Sequence, residues 1–176
     1  MKRLMILIFV LAFVISSGTI FAETESSLDA TADVYAVVIE AFDVNNLEGE
    51  DLDFGTLAAD GNFGGTITVD AGDTGSGSTA DIPYHDGVFQ AAGFEITGGY
   101  SGEESLSYSV ELPTSVTISN NTETMTVNNF TSNLSSNSGT ISDGSDTFYV
   151  GATLNVNAAQ EPGSYSGTFD VTVTIE

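Results

Sequence analysis

The chain has 176 residues, 41% of them hydrophobic, with 25 acidic residues against two basic ones and no cysteine. Lys2 and Arg3 are its whole set of basic residues, and the formal net charge is −23. This balance excludes nucleic acid and anionic membrane surfaces as partners, since both are bound chiefly through Lys and Arg. It also excludes phosphate sites built on basic side chains, wall linkages through a lysine amine, and any disulfide.

In chain order, Lys2 and Arg3 precede an uninterrupted apolar run at residues 4–15, and Ser16, Ser17, Gly18 and Thr19 follow it. That order reads as a secretory signal peptide at residues 1–22, helical in its apolar part and cut after Ala22. The run is too short for a spanning helix, which needs about 20 residues. The mature chain of 154 residues keeps every carboxylate and no lysine or arginine. Its length suits one domain, residues 23–176, with residues 23–33 as a flexible N-terminal extension. A chain of this size buries roughly 68–70% of its unfolded surface.

Beyond the leader, period-two alternation dominates and helical periodicity is nearly absent. Leu28, Ala30, Ala32, Val34, Ala36 and Val38 alternate along one face of a long first strand reaching residue 44. From Tyr35 its other face turns apolar too, predicting burial on both sides. Further strands are expected at 52–57, 66–70, 87–90, 94–97, 106–112, 116–119, 124–130 and 147–157. The last, at 165–175, sets Tyr165, Phe169, Val171, Val173 and Ile175 on one face. Turn clusters rich in Gly, Asn, Asp and Ser separate these runs, and Pro83, Pro113 and Pro162 fall near strand ends. The pattern predicts an all-β, antiparallel, immunoglobulin-like or pilin-like β-sandwich of about nine or ten strands.

Residues suited to catalysis are sparse. His85 is the only histidine, set in a turn context, and no motif marks a nucleophile beside it. Acid pairs are guaranteed by abundance, so none is singled out for hydrolysis. Calcium is the better ionic candidate: Asp70 with Asp73, Glu48 through Asp53, and Asp143 with Asp146 each put several oxygen ligands on a turn. None fits the twelve-residue calcium loop, and no other cofactor is implied. Asn120, Asn129 and Asn133 begin N-x-S/T triplets, as chance allows in so Asn/Ser/Thr-rich a chain. The two terminal runs are the more informative features. An eleven-residue strand at 165–175 would extend about 36 Å, and long edges are normally blunted by Lys, Pro or a bulge. Neither run contains Lys or Pro. Such edges suit strand pairing between copies, or pairing of the two terminal strands within one sandwich.

Four segments carry a resemblance: Leu52-Asp53-Phe54-Gly55-Thr56-Leu57, Ala92-Gly93-Phe94-Glu95-Ile96-Thr97-Gly98, Val150-Gly151-Ala152-Thr153-Leu154 and Gly163-Ser164-Tyr165-Ser166-Gly167-Thr168-Phe169. In this order, over most of residues 32–176, they resemble the exported bacterial β-proteins of the domain of unknown function 4402 family. The resemblance implies no established activity. It implies kinship with fimbrial and spore-coat-like subunits, and hence a periplasmic assembly chaperone as a partner. Gly163, fourteenth from the last residue, and the alternation after it are similar to the end of a chaperone-assembled pilin. The penultimate Ile175 stands where such pilins have an aromatic residue, and their subunit disulfide is absent.

The expectation is therefore an exported, non-enzymatic, fimbria-like or surface-layer subunit that associates with itself or related subunits. Residues 28–38 would be the donated strand, and the groove beside Gly163 and Tyr165–Ile175 a possible acceptor. A monomeric calcium- or glycan-binding module using its acidic loops is the alternative, and a hydrolase a distant third.

Overall fold

The computed structural model describes residues 33, 35, 36, 38, 40–58, 61–72, 79–82, 84–99 and 105–176. The chain divides into two units, 1–36 and 37–176, and every described strand lies in the second. In the first unit, the described residues Asp33, Tyr35 and Ala36 are exposed and outside any strand.

The strands are β1 (Glu40–Asn46), β2 (Thr56–Ala58), β3 (Gly65–Val69), β4 (Thr79–Asp81), β5 (Tyr84–Asp86) and β6 (Ala92–Gly99). After them come β7 (Leu106–Glu111), β8 (Ser115–Ser119), β9 (Thr124–Ser132), β10 (Ser138–Ile141), β11 (Ser145–Val156) and β12 (Thr172–Ile175). A 3-10 turn at Ser135–Asn137 precedes β10. All pairings are antiparallel, and the fold is a β-sandwich.

β11 is the spine of the larger sheet. Val150 pairs with both Ala92 and Ser132, so β6 and β9 occupy opposite edges of this strand. Past Val150 the β6 edge passes to β3, where Ala152 pairs with Val69. Gly151 sits at the handover, and a Cβ there would strike the Val69 carbonyl oxygen, so only glycine lets the two partners meet. β1 extends this sheet beyond β6, β4 beyond β3, and β8 beyond β9.

Two smaller sheets cover the inner face. β10, β7 and β12 lie over one half, burying Ile96, Tyr108, Val110, Ile141, Phe148 and Val150 together. The short pair β2 and β5 covers the other half, where Leu52, Phe54, Leu57 and Phe89 pack on Ile67, Met125, Val127, Ala152, Leu154 and Val156. Each large apolar side chain so buried contributes about 1.5–3 kcal/mol. Phe130 joins the two halves, its ring 5.1 Å from Phe169, while Phe94 lies 5.4 Å from Phe148.

Several expectations need correction. The first described strand begins at Glu40, and the described residues 33, 35, 36 and 38 of the expected long first strand are in no strand. Glu40 pairs with Gly99, the last residue of β6, and residues 100–104 after it lie outside the described residues. Tyr35 is 87% exposed and Val38 94%, against the expected burial on both faces. Ala36 is exposed as well, while Leu28, Ala30, Ala32 and Val34 lie outside the described residues.

The expected eleven-residue strand at 165–175 is a strand only over Thr172–Ile175. The chain changes sheets here: Ser166 bridges Ser119 of β8, and Thr172 then joins Glu111 of β7. Between those points it spans the gap between layers, with Phe169 turned into the core against Phe130. Its alternation is kept, since Tyr165, Phe169, Val171, Val173 and Ile175 are half-buried and their polar neighbours exposed. A strand expected at 87–90 is replaced by β5, with Gln90 making a single bridge to Asp53. β4 and β10 lie in stretches whose Gly, Ser and Asn content reads as turn.

Candidate functional site

The second layer of the sandwich is not continuous. The chain supplies two walls here, residues 51–58, which end in β2, and the irregular residues 160–169, and these bound a groove of about 1090 Å³. Its floor comes from inward-facing alternate residues of the large sheet: Val116 and Ile118 on β8, Met125 and Val127 on β9, and Leu154 on β11. Met125, Val127 and Leu154 are buried, whereas Val116 and Ile118 are half-buried.

Each wall is held at a few points. Asp53 and Gln90 exchange backbone bonds of 2.9 and 3.0 Å, and the Asp53 carboxylate accepts the Gly55 N–H at 2.8 Å. Ser119 and Ser166 exchange bonds of 2.9 and 3.0 Å. The Tyr165 hydroxyl donates to the Glu161 carbonyl at 2.8 Å and accepts from Gln160 Nε2 at 2.9 Å, closing that wall upon itself. Between Ser166 and Thr172, at residues 167–171, the chain has no ladder partner among the described residues, and β12 pairs on one edge only among them. The rim is acidic: Asp51, Asp53 and Glu161 line the groove and are exposed.

The C-terminal residues singled out from the sequence divide between two places. Gly163, Tyr165 and Phe169 line the groove, whereas Val171, Val173 and Ile175 pack into the half of the core under β7. The wall at 51–58 was missed as its counterpart. The only cue to it was the Leu52/Phe54/Leu57 spacing, which a strand would also produce.

The calcium candidates do not converge. Asp143 and Gly144 form the two-residue turn between β10 and β11, with φ of 55° and 84°, as a type I′ hairpin requires. Asp146 turns inward instead: Oδ2 accepts from the Tyr108 hydroxyl at 2.8 Å and Oδ1 from the Thr147 N–H at 2.9 Å. Asp70 is exposed at the end of β3, and Asp73 lies outside the described residues. Among the described residues no group of three or more acidic or histidine side chains is placed to hold a metal ion. His85 is exposed on β5, its ring stacked on Phe89 at 5.8 Å.

A sandwich with an interrupted second layer is the class of protein that this geometry defines. The family model described as Domain of unknown function (DUF4402) matches residues 44–174, and the chain belongs to that family. No curated protein and no solved structure matches it.

Proposed function

We propose that this protein is an exported, non-enzymatic structural subunit that assembles head to tail, each copy laying an N-terminal strand into the groove of the next. The observation that carries this reading is where the chain enters the sandwich. Glu40 pairs with Gly99 at one end of β6, whereas the groove meets β6 at Ala92 and Phe94 and meets β1 at Asn46. Entry and groove are thus at least five residues apart along the strand, about 17 Å. Residues 28–44 contain no glycine, proline or asparagine to favour a reversal back to the same groove, their turn-favouring residues being Asp29, Asp33 and Asp43. A donor at one end and an acceptor at the other make a heterologous contact, which builds open filaments when its rotation does not close.

The fit is chemical as well. The walls are eight and ten residues long, comparable to the eleven of segment 28–38. Its alternate side chains are mostly small, with Ala30, Ala32 and Ala36 among them, and suit a groove whose floor is largely closed. Strand addition takes affinity from main-chain hydrogen bonds and specificity from such alternate pockets. The signal-like leader supports export, and a periplasmic chaperone would occupy the same groove before assembly.

Deleting residues 23–34 tests the reading. The variant should remain monomeric by size-exclusion chromatography and bind an added peptide of residues 26–38, while the full mature chain forms polymers visible by electron microscopy. A mature chain that stays monomeric at every concentration and salt condition would overturn it.

A further inference from the structure

We propose that assembly at this groove is gated by ionic strength, an inference that rests on the strand-addition reading above. When Leu28, Ala30, Ala32 and Val34 face the groove, the alternation turns Asp29 and Asp33 outward, toward its rim. That rim carries Asp51 and Asp53 on one wall and Glu161 on the other, all exposed. Residues 23–176 contain no lysine or arginine, so no such side chain of either copy neutralises this approach.

Like charges brought together in this way oppose docking, and the opposition depends on their screening. The Debye length falls from about 30 Å at 0.01 M salt to about 10 Å at 0.1 M. At the lower salt concentration two copies repel well before contact; at the higher one the repulsion is confined to the rim itself. The apolar contact is the same in both conditions, so salt acts as the switch. The net charge of each copy adds a long-range barrier of the same sign, which slows encounter.

The test follows assembly of the full mature chain at pH 7.5 by light scattering between 10 and 300 mM NaCl. The proposal expects the protein concentration needed for assembly to fall about tenfold or more across that range. A variant carrying Asp51→Asn, Asp53→Asn and Glu161→Gln should need less protein to assemble at 10 mM NaCl than the wild type does, and should show a shallower salt dependence, the remainder being set by the net charge of each copy. The Asn at position 53 keeps the oxygen that accepts the Gly55 N–H, so the wall is preserved. Equal wild-type assembly at both salt levels would overturn the gate and leave strand addition standing. An unchanged salt dependence in the triple variant would also overturn it, by assigning the effect to salting-out of apolar surface. Absence of wild-type assembly at every salt level would instead overturn the strand-addition reading itself.

Discussion

Tyr108 of β7 donates its hydroxyl hydrogen to Asp146 of β11 at 2.8 Å, tying one covering sheet to the spine of the large sheet. The Tyr108 side chain is buried, and its ring lies 6.2 Å from that of Phe148. Burial, the hydrogen bond to Asp146 and that carboxylate's charge all push the phenol well above its usual range, burial most of all. Tyr108→Phe removes a bond to a charged acceptor and should cost about 1–2 kcal/mol, since half-buried Asp146 regains water. Urea unfolding at pH 7 measures it.

The same pair predicts a pH dependence. Above about pH 10 an unfolded tyrosine ionises while folded Tyr108 keeps its proton, so the unfolded state binds fewer protons and stability falls as pH rises. The stabilisation is fully present below pH 10. Thermal unfolding between pH 9 and 11.5 should show the decline, and it should be shallower in Tyr108→Phe.

Gly139 pairs with Tyr108 across β10 and β7, and a Cβ at this position would meet the Tyr108 ring and hydroxyl. Gly139→Ala should therefore overpack the layer and cost about 1–3 kcal/mol. Chemical denaturation of the variant checks this, and Tyr108→Leu in the same chain should recover part of the loss by vacating the space.

Charge makes a broader prediction. With carboxylates and no lysine or arginine after residue 3, self-repulsion weakens the compact state at low ionic strength. Raising NaCl from low to moderate concentration should raise the melting temperature of the Glu23–Val34 deletion variant, which lacks most of the proposed donor segment. A melting temperature indifferent to salt would show charges too dispersed to matter. Trypsin offers a simple companion: a chain cut after Ala22 holds no tryptic site and should survive digestion even when unfolded.

Much of the fold is legible because strands such as β7 and β9 bury one face, leaving a period of two. β3, β6, β7, β9 and β11 lie within a few residues of the runs their Val, Ile, Leu and Phe predict. Alternation records which face is buried, but it does not record whether a backbone has a ladder partner. That is why residues 165–171 keep alternate burial while crossing between sheets, and why the apolar run before Glu40 has no described strand. β10 was hidden by Ser136 and Asn137, whose φ of 54° and 55° belong to the turn before it. The groove was half legible: Gly163, Tyr165 and Phe169 were marked, while its facing wall depends on distant pairing between Asp53 and Gln90.

Placing a charge in the proposed donor segment should separate assembly from folding. Val34→Asp would bury a carboxylate in an apolar groove, so polymerisation should be lost while the monomer's melting temperature holds. A lowered melting temperature without an assembly defect would mean that the segment closes its own domain.

Disulfide trapping between copies tests the central claim most directly, because the chain has no cysteine of its own. Ala32→Cys protein is mixed with variants carrying Cys in turn at Leu57, Ser164 and Thr168, one in each preparation, and oxidised. Segment 28–38 of one copy lying in the groove of another predicts a covalent heterodimer for at least one wall position on a non-reducing gel. No heterodimer at any position, together with an intramolecular disulfide when Ala32→Cys and a wall cysteine share one chain, would contradict it.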